Sequence, residues 1–259
     1  MASFSHWWML YRMGYLSNQM GIMRRYLDRS NDWQKHLLHS HKLILSEVKR
    51  RKPKSIAFLG SGWLLDIPLN ELLESSTEVC LIDIAHPKRI LHKYSKHPNI
   101  KLVDIDITGG AVKWAWDSAK GKRKLLDFNR LLQMGEEAVS IISKDYQFVV
   151  SINMLSQLHL LIEDFLICKN HMSDIERLQL AQTLQQAHIN GLPKDRSLII
   201  SDTEAEFYNE DGFLSHTTPR IYTDLSELTL LEKWQWDFDS NFTFSPDYKV
   251  LHNVSAYLK

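Results

Sequence analysis

Five short apolar runs, separated by segments that carry helix signals, constrain this chain more than any other feature. The runs are 55–60 (SIAFLG), 78–83 (EVCLID), 100–105 (IKLVDI), 146–152 (YQFVVSI) and 197–201 (SLIIS). They are apolar nearly throughout instead of alternating, as strands covered on both faces of a parallel sheet must be. Helices are signalled at 68–76, at 87–95, around 155–168, and from Ser173 to just before Gly191. Ser173-Asp-Ile-Glu176 has the form of a capping box, and Gly191 suits a helix end. Parallel neighbours require crossovers, so the alternation predicts right-handed βαβ units and a doubly wound sheet. The connections after the third and fourth runs, about 40 and 44 residues, predict further helices inside each.

The end of the chain breaks this rhythm. Residues 228–238 (LTLLEKWQWDF) and 248–258 (YKVLHNVSAYL) predict two strands, with Pro246 and Asp247 in the loop and no helix between them. Strands joined in that way pair antiparallel. Ahead of the first run, Phe4, Trp7, Trp8, Tyr11 and Tyr15 recur at helical spacing. A second helix carries Trp33, Leu37, Leu38, Leu45 and Val48 on one face. It closes on Lys49-Arg50-Arg51-Lys52 before Pro53, which suits a helix C-terminus. The expected fold class is α/β: a doubly wound, mostly parallel Rossmann-like sheet with an antiparallel C-terminal strand pair and a helical N-terminal extension. The extension covers 1–52 and the Rossmann-like domain 53–259. The aromatic stripe of 1–52 has three readings, a packing face, a lid over a substrate, or a contact between copies of the chain.

Composition removes several alternatives. At 259 residues, with 44% hydrophobic and 24% charged content, the chain can bury a full core and is not of disordered type. Lys+Arg and Asp+Glu are both 31, so no net field recruits nucleic acid or an anionic membrane. The basic run Lys120-Gly-Lys-Arg-Lys124 reads as a solvated loop before a contact for an anionic substrate. No stretch nears the roughly 18 continuous apolar residues of a membrane span, and Arg12 interrupts the one apolar stretch near the start. The expected location is cytoplasmic. Cys80 and Cys168 lie in apolar surroundings, read as reduced core residues, and match no metal site.

Ligands of such sheets bind beyond the carboxyl ends of the strands, where strand order reverses. Those ends present Gly60-Ser61-Gly62, then Asp83, Asp106, Ser151 with Asn153, and Asp202 with Glu204. Gln157 and His159 follow the fourth strand. Glycines at 60 and 62 permit a tight turn and a close backbone approach to a ligand. An acid about twenty residues on, Asp83, suits ribose hydroxyls. Asp106 can accept from an adenine amino group or cap the segment starting at Thr108. Asp66 can meet a ligand's ammonium group or act as an N-cap ahead of Pro68. His86, before Pro87, shapes a turn.

The order Gly60-x-Gly62, Asp83, Asp106, Ser151/Asn153 and a final antiparallel pair resembles the class I S-adenosylmethionine-dependent methyltransferases over about residues 53–259. "GSGWLLDIPL…LIDIAHP…DIT…VVSINMLSQL…SDTE" is similar to a bacterial branch of that superfamily. The resemblance implies S-adenosyl-L-methionine as cofactor, held by Gly60, Ser61, Gly62, Asp66, Asp83, Asp106, Ser151 and Asn153. The acid the family places two positions before the first glycine is Phe58 here, and its third glycine is Leu64. A general base, if the acceptor needs one, is sought at His159, Asp202 or Glu204. No Asn/Asp-Pro-Pro-aromatic sequence follows the fourth strand, so the expected acceptor is a small molecule. Two other functions fit parts of the pattern, a non-catalytic methyltransferase-like binding module and a nicotinamide-dependent oxidoreductase. Leu65, where a dinucleotide loop has its third glycine, disfavours the latter.

Overall fold

The computed structural model describes residues 4–75, 77–121, 126–169 and 172–259. Its parallel strands are β1 (Ser55–Leu59), β2 (Glu78–Asp83), β3 (Ile100–Asp104), β4 (Phe148–Ile152) and β5 (Ser197–Tyr208), in the order β3-β2-β1-β4-β5. The chain winds outward from β1 through β2 to β3, then returns to β4 on the other side of β1, so strand order reverses between β1 and β4. Beyond β5 lie β8 (Lys249–Leu258) and then β7 (Thr229–Asp239), both in antiparallel pairings. The sheet is doubly wound and Rossmann-like with an antiparallel end, as the pattern of apolar runs predicts.

Both faces of the central strands are buried because both are covered. Ala57, Leu59, Cys80, Ile82, Val149 and Ile199 point to one side. There they meet α1 (Phe4–Arg12), α6 (Ala111–Ser118), α7 (Phe128–Ser143), α8 (Leu160–Ile167) and α9 (Asp174–Gly191). Ile56, Phe58, Val79, Leu81, Phe148 and Val150 point to the other, under α3 (Ser30–Arg51), α4 (Leu69–Glu74) and α5 (Lys88–Tyr94). The Ser173–Glu176 capping box is present at the start of α9, and α3 ends on Lys52 in a left-handed conformation (φ 49°).

Several expectations change in detail. The first aromatic helix is two helices, because Gly14 at φ 88° turns the chain between α1 and α2 (Tyr15–Asp28). The buried face of α3 is Trp33, His36, Ser40, Ile44 and Glu47, whereas Leu38 is exposed. Polar residues on that face hid its 3.6-residue period. Cys80 is buried but Cys168 is exposed; both are free thiols. Of the run Lys120–Lys124, residues 122–124 lie outside the described residues, and Lys120 sits 4.1 Å over the Trp116 ring.

The largest difference is β5, which runs on to Tyr208. Its first half pairs with β4, which stops at Ile152, and its exposed edge is then taken by β6 (Leu214–Pro219), antiparallel. β6 therefore descends in the lane of β4 and delivers Arg220 above the end of that strand. Among the described residues, no helix is long and apolar enough to cross a membrane.

Candidate functional site

One cavity of about 250 Å³ opens over the carboxyl ends of β1–β5. Gly60, Ser61, Gly62, Asp66, Asp83, Asp106, Asn153 and Asp202 all line it, with Gln157. The topology explains the convergence: these residues are spread along the chain from Gly60 to Asp202 but cap neighbouring parallel strands.

The turn after β1 is built to be tight. Gly60 sits at φ 84°, and a Cβ there would lie 2.5 Å from the Ile152 carbonyl oxygen. The loop is tied to β2 by the Gly62 N–H, which donates to Asp83 Oδ2 at 2.8 Å. Asp83 Oδ1 accepts from Ile84 N at 2.8 Å. A carboxylate has about four lone-pair directions, so Asp83 keeps acceptor capacity for a ligand. Burial pushes its carboxyl above the usual range, opposed by the Gly62 N–H. A second tie runs through His86, whose Nδ1 donates to Asp104 Oδ1 at 2.5 Å. That leaves Nε2 to accept from Ser61 Oγ at 2.9 Å. His86 thus shapes the turn by fixing the glycine loop from beneath.

Asp106 is tied to Thr108 and also faces the cavity. Its Oδ1 accepts from Thr108 N at 2.8 Å and Thr108 Oγ1 at 2.6 Å, closing a local turn, while the residue still lines the cavity. It is not a helix cap, since α6 is preceded by Gly110. Asp66 is not a cap either: the residue before α4 is Pro68 with no side-chain bond. Its Oδ1 is held instead by His36 Nε2 at 2.7 Å. His36 Nδ1 in turn accepts from Trp234 Nε1 at 3.0 Å, and its ring stacks on Trp236 at 4.0 Å.

Three expected site residues lie elsewhere. Ser151 is fully buried and bonded to His188 Nε2 at 2.7 Å on α9, behind the sheet. His159 packs edge-on against Tyr222 at 5.5 Å and does not line the cavity; burial lowers its pKa to about 4. Glu204 does not line it either. Among the three base candidates, Asp202 alone reaches the cavity. It accepts from Ser156 Oγ and lies 3.7 Å from His252 Nδ1.

The roof is α2, which contributes Tyr15, Asn18, Gln19, Ile22 and Arg25. Gln19 clamps it down, with Nε2 donating to Ala85 O at 2.5 Å and its backbone carbonyl accepting from Trp63 Nε1 at 2.8 Å. Burial, with Asp106 second, raises the Tyr15 phenol above its usual range. The α1 half of the aromatic stripe does something else: Met9, Leu10 and Met13 enter the core, and Trp8 and Tyr11 face outward. The remaining wall, Trp236, Phe238, Phe244, His252 and Arg220, was absent from the sequence expectations. The one signal that could have found part of it is the period-2 spacing of Trp234, Trp236 and Phe238 on β7.

Leu64, where the family has glycine, adopts φ 63°. A left-handed residue with a side chain costs about 1–2 kcal/mol, and a β-branched one more. We expect Leu64→Gly to be tolerated, with relief of strain offsetting the loss of a half-buried side chain. Leu64→Val is expected to destabilise by about 1–2 kcal/mol relative to Leu64→Gly, despite closer chemistry. Urea denaturation of both variants checks this; Val as stable as Gly would refute it.

No protein-family model and no curated protein matches the chain. Solved structures similar in fold include the N-methyltransferase NodS from Bradyrhizobium japonicum WM9, at 10% identity and TM-score 0.39 over 89% of this chain and 99% of that one. Another is 1,6-didemethyltoxoflavin-N1-methyltransferase from Burkholderia thailandensis, with its substrate and S-adenosylhomocysteine, at 12% identity and TM-score 0.40 over 100% and 92%. A third is coclaurine N-methyltransferase bound to N-methylheliamine and S-adenosylhomocysteine, at 9% and 0.37 over 82% and 68%. At such identities the likeness concerns fold alone.

Proposed function

We propose that this chain transfers a methyl group from S-adenosylmethionine to a small-molecule acceptor. The observation that carries the proposal is the alignment of the Gly60–Gly62 turn, Asp83 and Asp106 along one cavity at the ends of three adjacent strands. In that order they suit a nucleoside: backbone contact at the glycines, ribose hydroxyls on Asp83, an adenine amino group on Asp106 Oδ2. Asp66, held in place by His36, is positioned for an ammonium group. A dinucleotide fits less well. Its pyrophosphate wants a helix N-terminus at the glycine loop, and here α4 begins only at Leu69.

S-adenosylmethionine supplies a methyl group already activated by a sulfonium charge. The protein's task is then to align the donor with the acceptor and to exclude water. The β1–β3 ends would hold the donor, α2 would cover it, and the β4–β8 side would hold the acceptor. Where the acceptor must lose a proton, Asp202 is the group placed to take it.

Calorimetric titration with S-adenosylhomocysteine and with NAD tests this. We expect binding of the former, weakened by about 1–3 kcal/mol in Asp83→Ala through loss of a charged hydrogen-bond partner. Affinity unchanged in that variant, or binding of NAD alone, would sink the proposal.

A further inference from the structure

The β4–β8 side of the cavity has an unusual balance of groups. It is walled by aromatic rings: Trp236 and Phe238 meet edge-on at 5.0 Å, and Phe238 meets Phe244 at 5.2 Å. Two guanidiniums border this wall. Arg25, from α2, lies 5.0 Å over the Phe238 ring and 5.6 Å over Phe244. Arg220 enters from the β4 lane. Among the described residues neither forms an ion pair within 4.0 Å.

The nearby anions accept hydrogen bonds from neutral groups, and Asp239 acts on Arg25 only from beyond ion-pair distance. Asp239 accepts from Thr243 Oγ1 at 2.9 Å and from Phe244 N at 2.5 Å. Asp202 accepts from Ser156 Oγ. Burial keeps His252 and His159 neutral, with pKa values of about 4, so neither cancels nor adds charge near pH 7. Five buried atoms on cavity-lining residues have no hydrogen-bond partner among the described residues: three are donors, Arg25 Nε, Arg220 Nε and Trp236 Nε1, on the aromatic side, and the others are Asn153 Oδ1 and His252 Nδ1. Buried donors of that kind are costly unless something accepts from them.

Arg220 is also held in place before any ligand arrives. Its N–H donates to Thr203 O at 2.9 Å. Its carbonyl accepts from Gln185 Nε2 at 2.8 Å, and Gln185 Oε1 accepts from Tyr222 N at 2.7 Å. A buried glutamine on α9 thus fixes the backbone from Arg220 to Tyr222, and Thr203 fixes it on the preceding side. A guanidinium on a pinned backbone beside aromatic rings suits a planar anion, because its fork matches a carboxylate and the rings cover the apolar part.

We infer that the methyl acceptor is a planar aromatic molecule bearing a carboxylate, with the rings of Trp236, Phe238 and Phe244 flanking its plane and Arg220 pairing its charge, assisted by Arg25. This rests on the methyltransferase reading above. The donor carries a carboxylate of its own, so the test is made with the donor site filled.

The experiment is calorimetric titration of 4-hydroxybenzoate, and of neutral 4-hydroxybenzamide, into protein saturated with S-adenosylhomocysteine. We expect the acid to bind about 10- to 100-fold more tightly than the amide, the range for a hydrogen-bonded charge. Arg220→Gln should abolish that preference and leave S-adenosylhomocysteine affinity and the melting temperature unchanged. Arg220→Lys should restore part of it, since charge returns without the fork. Equal binding of acid and amide, or binding of neither, with S-adenosylhomocysteine bound normally, overturns the acceptor assignment alone. A preference for the acid that survives in Arg220→Gln does the same. Failure of S-adenosylhomocysteine itself to bind overturns the methyltransferase reading, and the acceptor assignment falls with it.

Discussion

Gly60→Ala is expected to cost roughly 3–5 kcal/mol of folding stability, enough to unfold a domain of ordinary stability in part or whole. Two penalties add. The residue sits at φ 84°, where an L side chain is strained, and its Cβ would lie 2.5 Å from Ile152 O and 3.3 Å from Met154 Cβ. Ile152 belongs to the neighbouring strand β4, so relief requires parting β1 from β4 at the switch point. Backbone cannot move aside as a flexible side chain can. Gly62→Ala makes the control: φ is 43°, yet the nearest atom to its Cβ is Asp83 Oδ2 at 3.9 Å. It should cost about 1 kcal/mol and keep the fold. Denaturant titration of both variants decides the matter, and equal stabilities would show that the clash is not what holds glycine at 60.

His188→Asn is expected to remove a large part of the protein's acid sensitivity. His188 is buried against Ser151 with its pKa lowered from 6.5 to about 3, burial being the main cause and Lys259 the second. The sign follows from proton counting. The unfolded chain binds a proton here below about pH 6.5, while the folded chain resists until about pH 3, so acidification favours unfolding across that interval. At about 1.4 kcal/mol per pH unit, this one histidine accounts for about 4 kcal/mol by the bottom of the window. His159 and His252, each held near 4, act in the same direction. Glu163 acts against them between about pH 7 and 4.5, because burial raises it to about 7. Comparing the variant with the wild type cancels those shared contributions. Stability measured by denaturant titration from pH 7 to pH 4 should fall less steeply in His188→Asn, which removes the titrating ring. Parallel curves would mean that His188 is not held neutral by burial.

How much of this was legible in the chain depends on how local the cause is. The five apolar runs declared a parallel sheet because a strand covered on both faces has no polar side to show. The capping box at Ser173 and the basic end of α3 are satisfied within one turn of helix, so sequence alone announces them. Gly60, Gly62, Asp83 and Asp106 line one cavity because the ends of consecutive parallel strands form one surface. Asp66 shows where that logic stops. Local chemistry offered it a cap, yet its partner is His36, thirty residues earlier and on the helix that packs over the loop.

Other site features depended on pairings that no local rule encodes. Ser151 occupies a strand end but points to α9, because side chains alternate along β4 and His188 stands on that face. Arg220 reaches the cavity because β4 leaves the edge of β5 at Ile200 and β6 takes up the same edge from Glu204. The aromatic wall comes from β7, β8 and the loop between them, whose place beside β5 follows from the order of strands in space. By itself the sequence determined the sheet, its winding and the residues at the glycine turn, since periodicity and turn chemistry act over a few residues. The tertiary structure alone decided which helix roofs the cavity, which acids face it and where two guanidiniums lie without an ion pair among the described residues, because those depend on packing between segments up to two hundred residues apart.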